Sequence, residues 1–221
     1  MRYRTIFISD LHLGTRRCQA AKMLEFLRSI EAEAIYLVGD IVDEWQFKRG
    51  AHWPEAHSEI EDILSSDSVI RLPGNHDDSL RSHLPDTAVH IAADGKRYLV
   101  IHGDQFDIAS QRARPFAFMG DWAHVAIKSL LYIPNAIRTW LDLPVWRRPS
   151  IGMLFRNYHN WFEATLAAHA KAQGFDGIIC GHSHKPALKN VGGVAYINCG
   201  DWIDNCTAIV EHDDGRFAIV K

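Results

Sequence analysis

The chain contains, at residues 72–77, the stretch Leu72-Pro73-Gly74-Asn75-His76-Asp77, which closes a short apolar segment. Asparagine is an uncommon metal ligand, and a histidine beside a carboxylate is suited to proton transfer. Taken alone the stretch predicts a turn, because Pro, Gly, Asn and Asp are all favoured in turns. Its interpretation therefore depends on four other segments, which are Asp10-Leu11-His12, Gly39-Asp40, His102-Gly103-Asp104 and Gly181-His182-Ser183-His184.

These five segments each follow an apolar run that predicts a β-strand. Strands at 3–9, 34–38 and 69–72 alternate with two helical patterns, at 23–30 and 54–66. Such alternation predicts βαβ units with parallel strands and right-handed crossovers. The remaining predicted strands are 89–92, 97–101, 177–180, 194–198, 207–211 and 216–220. The sequence thus predicts an α/β fold, with a single domain spanning residues 1–221.

Residues 105–165 interrupt this pattern and have a composition of their own. They hold 11 of the 23 aromatic residues, and their 7 basic and 4 acidic residues give a net charge of +3. The rest of the chain has 17 basic and 23 acidic residues, a net charge of −6. Four prolines divide the segment into short helices. We interpret it as a helical cap inserted between two core strands; the alternative is additional core.

The bulk composition excludes several classes of protein. With 47% apolar and 23% charged residues, the 221-residue chain has a globular composition. A net charge of −3 does not favour nucleic acid as a partner. No stretch approaches the roughly 18 apolar residues of a membrane span, and the apolar run near the N-terminus is too short for a signal peptide. Four cysteines without a C-x-x-C pair indicate reduced thiols and a cytoplasmic location.

The chemistry of the five segments indicates a metal site. All five lie just past the carboxyl ends of predicted strands, where open α/β sheets bind ligands. Their donors are carboxylate and amide oxygens and imidazole nitrogens, a set that suits Mn²⁺, Fe or Zn²⁺ in a catalytic site. Four carboxylates brought together would repel one another unless divalent cations were bound. Each segment singly could be a turn or a helix cap, but all five in order favour a metal site.

The same segments resemble the calcineurin-like metallophosphoesterases, whose pattern is Asp-x-His, Gly-Asp, Gly-Asn-His-Asp, His and Gly-His-x-His. The resemblance implies a four-layer α/β/β/α sandwich with two divalent ions, Mn²⁺ being favoured over Fe or Zn²⁺. It also implies that Asp40 bridges the ions and that His76 lies above them, its ring held by Asp77. One ion would be bound by Asp10, His12 and His184, and the other by Asn75, His102 and His182.

This ligand set predicts a hydrolytic mechanism. Two ions about 3.5–4 Å apart lower the pKa of a shared water, and the resulting hydroxide attacks phosphorus in line. His76 would stabilise the developing charge or protonate the leaving oxygen. The resemblance thus implies a metal-dependent hydrolase of phosphoesters or pyrophosphates. A scaffold without turnover, the alternative from another class, would be expected to lack ligands, and all seven are present.

Two further motifs resemble UDP-2,3-diacylglucosamine diphosphatases, enzymes of lipid A synthesis. They are Gly-Asp-x-x-acid-x-Trp, at residues 39–45, and Gly-Asp-Trp, at residues 200–202. The resemblance implies a nucleotide-linked lipid substrate that yields UMP and an acylated sugar 1-phosphate, and a place on the cytoplasmic face of the inner membrane. Candidate substrate contacts in the cap are Arg114, Arg148, Asn157 and Asn160.

One residue departs from the diphosphatase pattern. His76 stands where those enzymes typically have Arg, and His can donate a proton whereas Arg supplies only fixed charge. The alternative is therefore a phosphodiesterase or phosphatase of the same fold. Its substrate would be another nucleotide, a phospholipid-type molecule or a nucleic acid.

Overall fold

The computed structural model describes residues 1–44, 53–77, 79–107 and 151–221, without the side chains of 151–155 and 157. The strands are β1 (Arg2–Ile8), β2 (Glu31–Val38), β3 (Val69–Leu72), β4 (Thr87–Ile91), β5 (Arg97–Ile101), β6 (Gly177–Cys180), β7 (Ala187–Val191), β8 (Val194–Asn198), β9 (Ala208–Glu211) and β10 (Phe217–Val220). The α-helices in these parts are α1 (Ala20–Ser29), α2 (Glu55–Ile63) and α3 (Ile151–Ala172). Single 3₁₀ turns lie at Leu80–Ser82 and Asp104–Phe106.

The strands form two five-stranded sheets. The first has the order β10-β9-β1-β2-β3, and its central strands β1, β2 and β3 are parallel. The second has the order β4-β5-β6-β8-β7, with β5, β6 and β8 parallel and an antiparallel strand at each edge. The predicted α/β class and the parallel pairing of the first three strands are confirmed.

Apolar side chains alternate along β1 and fill two separate cores. Phe7 lies in the core between the two sheets, with Val100 and Ile179 of the second sheet. Ile6 and Ile8 point to the opposite face and pack in the core that includes α1 and α2. Because both faces of this sheet are buried, the sequence of β1 is an almost continuous apolar run.

The carboxy-terminal half of α3 covers the second sheet. Glu163 on this helix forms a 2.6 Å ion pair with Lys189 of β7. Lys171 donates a 2.9 Å hydrogen bond to the carbonyl of Gly192, in the turn between β7 and β8. With α1 and α2 on the first sheet, the described elements form the four layers α/β/β/α that the resemblance implied.

Two compact units are distinguished along the chain. One comprises Met1–Asp104 with Glu163–Lys221, and the other comprises Gln105–Phe162. The cap predicted over residues 105–165 stays a prediction, because most of that segment lies outside the described residues. Within the described ranges, no helix has an apolar stretch long enough to cross a bilayer.

Strand β7 is absent from the sequence-based prediction. It is an edge strand whose central residues Leu188, Lys189 and Asn190 are exposed, so it lacks the apolar pattern that reveals a buried strand. The signal available was Gly192-Gly193, since both glycines have positive φ and form the turn of the hairpin with β8.

Candidate metal centre

The five predicted segments follow the carboxyl ends of five strands. Because β1, β2 and β3 are parallel, and β5 and β6 are parallel, the segments of each sheet meet at one edge. Asp10 follows β1, Asp40 follows β2, Asn75 follows β3, His102 follows β5 and His182 follows β6. The topology thus brings together side chains that are up to 174 positions apart in the sequence, from Asp10 to His184.

Most of the proposed ligands have left-handed backbone conformations. Among the described residues other than glycine, six have positive φ, and five of these belong to the predicted ligand set: Asp10 (53°), His12 (50°), Asp40 (53°), His182 (63°) and His184 (54°). Such conformations cost about 1–3 kcal/mol each and persist only where surrounding contacts enforce them. Here backbone hydrogen bonds do so, from Asp10 N–H to Gly39 O and from His12 N–H to Asp40 O, both 3.0 Å.

The glycines of the motifs make room for ligands on other strands. A Cβ on Gly39 would lie under 3.0 Å from the ring of His102, and one on Gly181 would lie that close to the Asp10 carboxylate. A Cβ on Gly74 would meet the carboxylate of Asp40. Real Cβ atoms almost never show such distances. Each glycine is therefore needed for the close approach of a ligand from a different segment.

The first group of donors consists of Asp10, His12 and His184, whose candidate ligand atoms all lie within 4.8 Å of one another. Nε2 of His184 is 3.2 Å from Oδ1 of Asp10, and Nε2 of His12 is 3.9 Å from the same oxygen. Both imidazoles thus turn Nε2 toward one carboxylate, the arrangement expected when three side chains bind one cation.

The second group consists of Asp40, His102 and His182, also within 4.8 Å of one another. Nε2 of His102 is 3.4 Å from Oδ2 of Asp40, while its Nδ1 lies 2.8 Å from the carbonyl of Val38. Nδ1 therefore donates to the backbone, and Nε2 carries the lone pair needed for a metal. Oδ2 of Asp40 is also 3.9 Å from Nε2 of His12, so Asp40 lies between the two groups, as a bridging ligand must.

The polar atoms of these groups fit divalent cations. Buried polar atoms normally have hydrogen-bond partners. Within the described parts of the chain, four buried atoms of the predicted ligands have none: Asp10 Oδ1, His12 Nε2, Asn75 Oδ1 and His102 Nε2. These oxygen and nitrogen donors suit Mn²⁺, Fe or Zn²⁺, and the set contains no thiolate.

The charges in the centre shift the pKa values of its side chains. Burial alone would raise the pKa of Asp40, but attraction to His102, His12 and His76 holds that pKa well below its usual range. Burial alone would lower the pKa of His102, but Asp40, Asp10 and Asp104 raise it to about 10. Metal binding must displace a proton from such an imidazole, so it should weaken as the pH falls.

His76 is oriented by Asp43, and not by Asp77 as predicted. Nδ1 of His76 lies 3.4 Å from Oδ2 of Asp43. The carboxylate of Asp77 instead accepts the backbone N–H groups of Ile41 (3.0 Å), Val42 (2.8 Å) and Gly74 (3.2 Å). Asp77 thus holds the loop after β2 against the loop after β3. The prediction is corrected because three backbone donors already engage that carboxylate.

We expect Asp43→Asn to move the alkaline limb of the pH–activity profile to lower pH. Burial alone would lower the pKa of His76, but the contact with Asp43 and the charges of Asp40 and Asp43 raise it to about 9. A protonated His76 is present below this pKa and lost above it. Removing the Asp43 charge lowers the pKa, so activity should fall earlier as the pH rises.

The measurement is kcat/KM as a function of pH with saturating Mn²⁺. Asp62→Asn, at an exposed residue of α2, serves as the matched control and should leave the profile unchanged. An alkaline limb that stays in place in Asp43→Asn would contradict this role for Asp43.

The predicted substrate contacts are placed only in part. Arg114 and Arg148 lie outside the described residues, as does the side chain of Asn157. Asn160 is exposed on α3. These four assignments stay predictions.

Sequence reasoning also missed residues that support the centre. Asp43 was part of a recognised motif without an assigned role, and its signal was its place three residues after Asp40. Asp201 and Asn205 lie close to His184, but the sequence offered no spacing signal for Asn205.

The comparisons with known proteins agree with this geometry. The family model for calcineurin-like phosphoesterases matches residues 3–186. A relative named UDP-2,3-diacylglucosamine hydrolase from Neisseria meningitidis serogroup B is 29% identical, over 94% of this chain and 93% of its own. Relatives of the same name from Nitrosococcus oceani (30% identical, 83% and 80% covered) and Shewanella sp. (26% identical, 96% and 95% covered) align similarly.

Solved structures share the fold. A hypothetical protein from Pyrococcus horikoshii matches with a TM-score of 0.54 at 12% identity, over 100% of this chain and 88% of its own. A protein from Thermotoga maritima matches with a TM-score of 0.51 at 17% identity, over 99% of both chains. The family match over residues 3–186 shows that the chain belongs to the calcineurin-like phosphoesterase family. With the relatives that are named hydrolases, it identifies the chain as a metal-dependent hydrolase.

Proposed function

We propose that this chain hydrolyses the diphosphate of UDP-2,3-diacylglucosamine, or of a closely similar nucleotide-linked acyl sugar. Water adds to one phosphorus and the bridging P–O bond breaks, which gives UMP and an acylated sugar 1-phosphate. The observation that carries the proposal is a full set of seven donors in a chain that aligns over 94% of its length with a relative named for this substrate. Several other relatives with the same name support it.

The proposed centre holds two divalent ions, with Mn²⁺ as the first choice. Asp10, His12 and His184 would hold one ion, and Asn75, His102 and His182 the other, with Asp40 shared. When bound, such ions supply Lewis-acid stabilisation of phosphoryl oxygens and a water of lowered pKa. The remaining tasks, orienting the substrate and managing charge on the leaving oxygen, fall to side chains.

We assign the leaving group to the side chain of His76. Its side chain is 34% exposed, so it borders both the buried donors and the solvent from which a substrate enters. With its pKa raised to about 9, the imidazole is cationic near neutral pH. Divalent ions bound at Asp40 would oppose that increase, whereas the contact with Asp43 would favour the protonated imidazole. We therefore assign to His76 the positive charge that the resemblance to the diphosphatases assigns to Arg at this position.

The departure from Arg also defines the second candidate function. The leaving group of a diphosphate is a phosphate oxygen of low basicity, which needs charge stabilisation more than a proton. The leaving alkoxide of a phosphodiester or phosphomonoester is more basic and gains from a proton donor. The His76–Asp43 contact favours this alternative, because it keeps a proton on the imidazole.

We also propose peripheral contact with the cytoplasmic face of the inner membrane. A substrate with two acyl chains resides in a bilayer, so the enzyme must approach the surface to reach it. The net charge of +3 and the 11 aromatic residues of the 105–165 segment support such an approach, because anionic lipids attract basic segments.

The test is the product pattern with Mn²⁺ present. Mass spectrometry should detect UMP and the acylated sugar 1-phosphate from UDP-2,3-diacylglucosamine in detergent. UDP-N-acetylglucosamine, which lacks the acyl chains, should react far more slowly. If no UMP is formed while bis-p-nitrophenyl phosphate is hydrolysed equally with and without detergent, the diphosphatase proposal is rejected in favour of the second candidate.

A further inference from the structure

The residues that follow β8 contact the first group of donors, at Asp10 and at His184. We propose that residues 199–205, here called the clasp, position the Asp10–His12–His184 half of the centre, with Asp201 and Asn205 as the positioning residues for His184. The inference rests on the two-ion centre of the proposed function, but not on the identity of the substrate.

The clasp holds the backbone at Asp10. Trp202 donates its backbone N–H to the carbonyl of Asp10 at 3.0 Å. Ser9 donates its hydroxyl to the carbonyl of Gly200 at 3.1 Å. Trp202 is fully buried, and its ring packs against Phe26 of α1 with centroids 5.2 Å apart. The end of β1 is thus anchored to a rigid, buried segment.

The clasp also holds His184 from two sides. Asn205 donates from Nδ2 to the carbonyl of His184 at 2.8 Å, and also to Oδ2 of Asp201. That oxygen lies 3.9 Å from Nδ1 of His184, while Nε2 of the same ring lies 3.2 Å from Oδ1 of Asp10. A carboxylate on the Nδ1 side favours a proton there and leaves the Nε2 lone pair for a metal.

The carboxylate of Asp201 is itself fixed. It is completely buried, and Oδ1 accepts the backbone N–H groups of Ile203 (2.8 Å) and Asn205 (3.2 Å). A carboxylate fixed in this way can orient a neighbour without moving itself. His184 needs such support, because its side chain is 38% exposed.

The second group is supported differently. His102 is fully buried, and its Nδ1 is bonded to the backbone carbonyl of Val38. Asn198 binds Gly181 O (2.7 Å) and Ser183 Oγ (3.1 Å), so it holds the whole loop that carries both histidines. Substitutions of Asp201 or Asn205 should therefore affect one ion and spare the other. This asymmetry separates positioning from a general contribution to folding.

The test measures the binding of Mn²⁺ to the metal-free Asn205→Ala variant, by calorimetry and by electron paramagnetic resonance. Removing a partner of a metal-binding histidine lowers metal affinity about 10- to 100-fold. We expect one of the two ions to bind that much more weakly, the other to bind as in wild type, and the spin-coupled two-manganese signal to require more Mn²⁺. Asp204→Ala is the matched control, since Asp204 directly precedes Asn205 but its own side chain is 78% exposed and pairs with Arg17 at the surface.

Asp201→Asn provides the second variant, because it keeps the shape of the side chain and removes the charge. It should weaken the binding of the same ion. If Asn205→Ala does not fold, Asp201→Asn alone provides the test. Equal weakening of both ions, or normal binding of both in the two variants, would overturn the inference. Failure of the proposed function would look different, since UMP would be absent while the wild type binds two Mn²⁺.

Discussion

Asp40→Asn is expected to lower the rate of phosphoester hydrolysis by about a thousandfold or more. Oδ2 of Asp40 is 3.4 Å from Nε2 of His102 and 3.9 Å from Nε2 of His12, so this carboxylate serves both donor groups. Metal ions contribute several kcal/mol of transition-state stabilisation, and each 1.4 kcal/mol or so is about tenfold in rate. An amide in place of the shared carboxylate weakens the binding of both ions, so that contribution to the rate is lost.

The measurement combines Mn²⁺ content with the rate on bis-p-nitrophenyl phosphate and on the proposed substrate. Asp86→Asn is the matched control, because it makes the same chemical change at an exposed carboxylate that pairs with Arg81. It should keep both metal content and rate. A variant at Asp40 that retained two tightly bound Mn²⁺ and wild-type turnover would refute the bridging position.

His76→Ala is expected to lower kcat by about 100- to 10,000-fold, the range that general acid–base groups contribute. Metal content should be unchanged, because the contact between His76 and Asp40 is a 2.8 Å hydrogen bond from the backbone N–H, which alanine retains. The loss should therefore appear in turnover rather than in the assembly of the centre. His83→Ala, at an exposed histidine seven residues on, is the control and should behave as wild type.

His76→Arg distinguishes the two tasks of this residue. Arginine keeps the positive charge but donates no proton to a leaving oxygen. If charge is what the reaction needs, His76→Arg should retain most of the turnover of the diphosphate and lose that of esters with basic leaving groups. An equal loss on both kinds of substrate would show that geometry at this position, rather than proton transfer, limits the reaction.

The residue types and their order predicted much of the centre. Apolar runs that end in Asp, Asn or His predicted both the parallel strands and the edge at which the donors meet. This works because a parallel sheet aligns its carboxyl ends, so that distant segments converge without further information. The glycine beside each ligand is explained in the same terms, since Gly39, Gly74 and Gly181 each lie against a ligand from another segment.

By itself, then, the sequence determined the α/β class and the family of this protein, and it predicted the donor set. The tertiary structure decided how supporting groups are paired. It placed Asp43 rather than Asp77 at His76, and it brought Asp201 and Asn205 to His184. The physical reason is that strand order follows from patterns of burial, which the chain displays along its length. The direction of a carboxylate in a loop instead depends on which backbone N–H groups other segments present to it.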